Sequence, residues 1–223
     1  MFATLASRAS YAELLLEAVS SGRISKGDIP LTVVRQIKAF KKPALDTAIE
    51  KIWGALRSPS KDKQREKARW REQLTSVALA KADLSHGRAL FAKTCANCHV
   101  LFDAGKRIGP ELTGSQRTNL DYVLDNVLDP TAAVARDYQM TQIVLVDGRL
   151  LTGIVVEENE QTVTLQSPTE RIVLAKADID DRQRSPLSMM PEGLFNSLSA
   201  EDARDLVGYL ASPQQVPLPT AQK

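Results

Sequence analysis

The stretch KTCANCHVLF, Lys93 to Phe102, holds both cysteines of the chain and one of its two histidines. What lies on either side of it decides the fold. Upstream, ADLSHGRALFAKT (82–94) spaces its apolar residues as a helix does, with Asp83 or Ser85 as N-cap, and runs into the cysteines. Downstream, RIGPELTGS (107–115) is a Gly/Pro-rich loop, and TNLDYVLDNVLDP (118–130) is a second helix. Its buried side is Leu120, Val123, Leu124, Val127 and Leu128, and Pro130 ends it. A third helix, LSAEDARDLVGYLAS (198–212), begins at Ser199 with Asp202 three residues on, a capping box with the shorter acid. Leu206, Val207, Tyr209 and Leu210 form its apolar side, and the Pro-rich tail from 213 to 223 reads as extended and flexible.

Between the second and third helices the apolar period changes from helical to two. Gln139–Val146, Leu150–Glu157, Thr162–Gln166 and Arg171–Leu174 read as four short strands, with Asp147-Gly148 as a hairpin turn. A small antiparallel sheet or barrel over 138–180 follows, inserted into the helical part. Ahead of the cysteines, residues 1–80 read as helices. YAELLLEAVSSG (11–22) places Leu14, Leu15, Ala18 and Val19 on one face. DIPLTVVRQIKAF (28–40) has Asp28 as a plausible N-cap. PALDTAIEKIWGAL (43–56) starts on Pro43, and SKDKQREKARWREQLTSVALAKA (60–82) is one longer helix. Trp53 and Trp70 read as core anchors. The fold class expected is therefore α+β: a helical segment over 1–80, a helical domain over 81–212 interrupted by the sheet, and a tail.

Composition narrows the partners. Residues 1–80 carry 15 basic and 8 acidic side chains, and the sheet segment carries 3 basic against 7 acidic. The basic run KDKQREKARWRE has a single aromatic and reads as a solvated helix with mixed charges, and the acidic sheet argues against nucleic acid. No run approaches the ~20 apolar residues of a membrane helix. The N-terminus lacks a basic leader region, and Arg8, Glu13 and Glu17 interrupt any apolar run, so no signal peptide is read there.

A C-x-x-C pair serves zinc, a redox disulfide or covalent haem attachment. A structural zinc site takes four ligands, usually from a second Cys or His pair. Here only His86 remains to add. A redox pair opens a helix after a strand, whereas this one follows a helix. Haem c fits best, since C-x-x-C-H is its attachment sequence. Cys95 and Cys98, one helical turn apart, present two sulfurs to one haem edge, and His99 is carried under the iron as proximal ligand.

Two further pieces point the same way. Gly109-Pro110 lies eleven residues past His99, and SMMPEGLFNSL (188–198) puts a Met-Pro before the closing helix. In both respects the chain resembles class I c-type cytochromes. That resemblance implies that the Pro110 carbonyl binds the second nitrogen of His99 and that Met190, or alternatively Met189, is the distal ligand. On position alone, Phe91, Leu112 and Leu194 are candidate haem-pocket walls, and Arg107 a candidate propionate partner.

Residues 81–212 together resemble the haem-binding domain of Pirellula- and Verrucomicrobium-type proteins of the planctomycetes. The resemblance rests on DLSHGRALFAKTCANCH, IGPELTG, NLDYVLDNVLDPTAAV, DGRLLTGIVVEENEQTVTL and SMMPEGLFNSLSAEDARDLVGYL. It implies a module at the C-terminus of large exported proteins, after dehydrogenase-like propellers and HEAT-like helical repeats. Residues 1–80, including the WGAL near Trp53, resemble the end of such repeats. The expectation is an electron-transfer module with one haem c and no catalytic residue. Its partners would be a dehydrogenase domain upstream and a cytochrome or oxidase downstream, its location periplasmic or otherwise extracytoplasmic, and its export signal in a longer precursor. Two alternatives stay open: a five-coordinate haem sensor or small haem enzyme, and a sheet that serves as an interaction module with the haem subordinate.

Overall fold

The computed structural model describes residues 2–29, 31–54, 60–132 and 134–219. Met1, Ala55 and Leu56 of the WGAL stretch, and the end of the tail lie outside them.

The N-terminal part is α1 (Phe2–Leu5), α2 (Ala9–Ser20), α3 (Leu31–Lys38) and α4 (Pro43–Trp53). Pro43 sits in the first turn of α4, where its missing N–H would have no helical partner anyway. The stripe of α2 that packs inward is Ala12, Leu15, Leu16 and Val19, and Leu14, expected inside, is 62% exposed. Asp28 ends a short 3-10 turn, Lys26–Asp28, and Pro30, which lies directly before α3, is outside the described residues. Trp53 closes this aliphatic core, which also holds Val34, Ile37, Leu45 and Ile49.

The long helix expected over 60–82 is two. α5 (Lys61–Gln73) starts on Ser60, whose side chain accepts from the Lys63 N–H. It stops at Leu74, and Thr75 caps the short α6 (Ser76–Leu79) in the same manner. With α5 the chain changes cores. Trp70 and Leu74 bury themselves with Phe91, Leu101, Leu124, Phe195 and Tyr209, in a second cluster built on α7 (Leu84–Thr94), α8 (Leu120–Leu128) and α9 (Ala200–Ala211). The boundary between the two helical cores thus falls before α5, some twenty residues earlier than the change of texture near residue 81 indicated.

α7 and α9 cross closely because glycine lies on both sides of the seam. A Cβ on Gly87 would overlap the Asp205 carbonyl oxygen, and one on Gly208 would overlap the Ala82 methyl. Asp83 caps α7 and Asn119 caps α8, and the Ser199/Asp202 box caps α9 with both of its reciprocal bonds formed. Arg117, 9% exposed, donates to the Leu210 and Ser212 carbonyls, closing the C-terminal end of α9 where such oxygens lack helical partners. The tail does not leave at once. Gln215 accepts from the Tyr209 hydroxyl at 2.8 Å, and Arg88 holds the Val216 carbonyl.

The fold is α+β. Between α8 and α9 lie β1 (Gln139–Leu145), β2 (Leu150–Glu158), β3 (Thr162–Gln166), β4 (Arg171–Ala175) and β5 (Ile179–Ser188). They form one antiparallel sheet in the order β4-β3-β2-β1-β5, with the expected turn at Asp147-Gly148. β5 carries the sheet eight residues beyond the expected end at 180. Its sequence, IDDRQRSPLS, lacks apolar alternation because Arg182 and Arg184 face a polar cleft of about 510 Å³ that Thr141 and Glu158 also line. The packed face is Ile143, Leu145, Val163, Leu165 and Leu174. Among the described residues, no helix is long and apolar enough to cross a membrane.

Candidate functional site

α7 delivers the chain into CANCH and ends there. Cys95 is its C-cap, with its N–H on the Phe91 carbonyl at 2.8 Å. The next N–H groups keep turning: Cys98 and His99 both donate to the Cys95 carbonyl, at 3.0 and 2.9 Å. The two cysteines are thereby set one turn apart, half-buried, and both thiols are free. Burial pushes both thiols above their ordinary pKa. A hydrogen bond with Thr94 offsets this in part at Cys95, and the charge of Lys106 does so at Cys98. A redox-active pair needs the opposite shift.

The following loop wraps the turn. Ile108 and Gly109 donate to the Cys98 carbonyl at 3.1 and 2.7 Å, Lys106 to Ala96 at 2.9 Å and Leu112 to Val100 at 2.8 Å. Phe102 and Asp103 take left-handed backbone, with φ of 50° and 60°, and Thr113 Oγ1 accepts from the Phe102 N–H at 3.0 Å. This folding sets the Pro110 carbonyl 2.8 Å from His99 Nδ1. A carbonyl only accepts, so Nδ1 carries the proton and Nε2 keeps its lone pair. Gly109 lies against the imidazole: a Cβ there would stand 2.7 Å from His99 Cε1. Burial lowers the His99 pKa, and the bond to Pro110 opposes that shift.

The other predicted residues divide. Phe91 is buried and packs on Tyr209, ring centroids 5.7 Å apart, and Leu112 is half-buried against the same core as Cys95. Arg107 points to solvent in an ion pair with Glu111 at 2.8 Å. Met189 and Met190 are half-buried in the bend after β5, where Ser188 Oγ accepts from the Met190 N–H at 3.1 Å. Leu194, half-buried, opens the 3-10 turn Leu194–Ser197, whose Phe195 is buried in the core that Phe91 shares. The fold therefore brings together Cys95, Cys98, His99, Pro110 and Leu112. Among the described residues, no hydrogen bond joins the methionine bend to the CANCH turn.

His86 serves elsewhere. Its Nδ1 is 3.0 Å from Asp205, which also accepts from the Asp83 N–H, so His86 ties the start of α7 to α9. Among the described residues, no three His, Cys, Asp or Glu side chains converge as a metal-ligand set.

Two contributors were not foreseen. Arg117 also lies over the Phe102 ring, 4.8 Å from its centroid, and so joins the loop after Pro110 to the end of α9. A single Arg in a polar loop carries no periodic signal. α5 was read as solvated surface because Lys63, Lys67 and Trp70 mark a stripe only when cations are counted as facing inward. No protein-family model matches the chain, and no curated protein matches it.

Proposed function

We propose that the chain is a covalent haem c-binding electron-transfer protein or module. The observation that carries this reading is the His99 Nδ1 to Pro110 carbonyl bond, 2.8 Å long. It commits one imidazole nitrogen to the backbone and leaves the other for an iron, one turn beyond two free thiols. The residues fit the group: Cys95 and Cys98 would hold it by two thioether bonds, His99 would bind the iron, and Gly109 leaves the imidazole room. Bound haem supplies reversible one-electron exchange.

The chain's own residues do the rest. Pro110 and Gly109 fix the plane of the imidazole. Met190, with Met189 as the alternative, offers a soft thioether that raises the potential relative to a second histidine. With His99 and Met190 both holding the iron, no site would remain for a substrate, and the role would be that of a carrier and not an enzyme. Phe91, Leu112 and Leu194 would wall the pocket. Arg107 would reach a propionate only by giving up its ion pair with Glu111. The sensor alternative needs an acid–base group on the distal side, and His86 is committed to Asp205.

In this reading α7, the CANCH turn, the Gly-Pro loop, α8, the methionine bend and α9 form a class I cytochrome c-like domain with the sheet inserted. Residues 1–80 are the end of a HEAT-like segment, as the resemblance to the planctomycete haem-binding domain implies. The partners are redox proteins, a dehydrogenase domain upstream and a cytochrome or oxidase downstream. Because haem c is attached outside the cytoplasm, the location is periplasmic or otherwise extracytoplasmic.

The test is a pyridine haemochrome assay on protein from a host with haem c maturation. One covalent haem per chain is expected, and none in Cys95→Ala/Cys98→Ala. A wild-type chain without covalent haem overturns the reading. In the ferric protein, the near-infrared sulfur-to-iron band should vanish in Met190→Ala and persist in Met189→Ala.

A further inference from the structure

Two contacts reach from α5 to the segment that follows Met190. Lys63 Nζ lies 3.4 Å from the Glu192 carboxylate. The Trp70 ring meets Phe195 edge-on, with centroids 5.1 Å apart and planes at 78°. Lys63 and Trp70 are two helical turns apart and so share one face of α5. Lys67, between them on that face, binds Asp125 at 2.7 Å and Asp121 at 3.3 Å on α8, and Arg71 reaches Asp121 at 3.4 Å. α5 is therefore anchored along α8 while the same face spans the residues two and five beyond Met190.

The bend is pinned on its other side as well. Ser188 Oγ takes the Met190 N–H, and Thr131 Oγ1 takes the Ser188 N–H at 3.4 Å. Phe195 is 1% exposed. The Trp70 indole N–H is buried with no acceptor among the described residues. What fixes the Trp70 ring is thus its packing and its edge contact with Phe195, not a hydrogen bond.

We propose that α5 is a clamp on the methionine bend, with Trp70 and Lys63 as positioning residues that hold Met190 in place through Phe195 and Glu192. This rests on the reading of Met190 as distal ligand. A ligand on a bend binds in proportion to the time the bend stays closed, and any competitor gains what the bend loses.

The experiment uses the full haem-loaded chain in its ferric state. It reads the near-infrared sulfur-to-iron band and the affinity for imidazole, which competes with a methionine for iron. Trp70→Ala should weaken the band and tighten imidazole binding about tenfold. Trp70→Phe should keep both near wild type, because it retains a ring and gives up no hydrogen bond. Lys63→Glu should tighten imidazole binding about threefold, and the swap Lys63→Glu/Glu192→Lys should restore it.

A folded Trp70→Ala protein with full covalent haem, an unchanged band and unchanged imidazole affinity overturns the clamp. If Trp70→Ala does not fold, Lys63→Glu decides, and wild-type imidazole affinity there overturns it equally. Failure of the underlying reading looks different: the band is missing from wild type or survives Met190→Ala, and the clamp then falls with it.

Discussion

The chain packs two helical cores of unlike composition. The first, under α1–α4, is mainly aliphatic, with Trp53 its one fully buried aromatic among the described residues and Phe2 and Phe40 at its margin. The second gathers Trp70, Phe91, Phe195 and Tyr209, with Phe102 at its margin, beside the CANCH turn. Aliphatic side chains pack without preferred direction, and a core of them serves stability. Aromatic rings add edges and faces that fix orientation. The core that borders the candidate site is the one whose contacts have direction.

Matched truncations of the two buried tryptophans test that difference most strongly. Trp53→Ala and Trp70→Ala should each cost about 3–5 kcal/mol in urea denaturation. In the haem-bound protein that the proposed function requires, only Trp70→Ala should alter the absorption spectrum, and equal spectral changes would erase the distinction between the cores. Next is the α7–α9 seam. Gly87→Val should cost about 3 kcal/mol through overlap with the Asp205 carbonyl, while Gly22→Val, where an added Cβ meets nothing within 4 Å but the backbone φ is +75°, should cost about 1 kcal/mol. Arg117→Met leaves the Leu210 and Ser212 carbonyls without their donor and should cost about 2 kcal/mol by the same measurement.

The smallest effect is pH-dependent and belongs to the second core alone. The hydrogen bond to Asp205 raises the His86 pKa above 6.5, against a smaller lowering by burial, and the charges of Asp202 and Asp83 add to the rise. At Asp205 burial raises the pKa, but bonds from His86, Arg204 and the Asp83 N–H outweigh it and hold the group below 3.8. The His86 contribution is complete below 6.5 and fades as pH rises through its folded value. The Asp205 contribution is complete above 3.8 and fades as pH falls through its folded value. Stability from this pair should therefore be fullest between those limits. His86→Gln should flatten the alkaline side of a stability–pH curve, and an unchanged slope there would remove the pair from the account.

Much of the site could be read in advance because its signals are local. The CANCH spacing, the Gly109-Pro110 loop, the Asp83 cap and the Ser199/Asp202 box each lie within a few residues. Four strands showed through their alternation. β5 did not, because none of its residues is buried and its Arg182 and Arg184 line a polar cleft. The membership of α5 was hidden for a related reason: its inward stripe is Lys63, Lys67 and Trp70, and the partners of the lysines, Asp121, Asp125 and Glu192, are far along the chain. Arg117 was silent because what it caps lies 93 residues away. Contacts between polar groups distant in sequence leave no period to detect.

The glycine seam between α7 and α9 also has a meaning for chain entropy. It joins residues as far apart as Asp83 and Asp205, 122 positions in sequence, and the loop so closed contains the whole sheet. Closure entropy grows only with the logarithm of loop length, so the sheet residues add about 0.5 kcal/mol to the cost of bringing the two helices together. What they change more is time, because contacts between distant residues form slowly. The seam that completes the second core is thus cheap to keep and late to form.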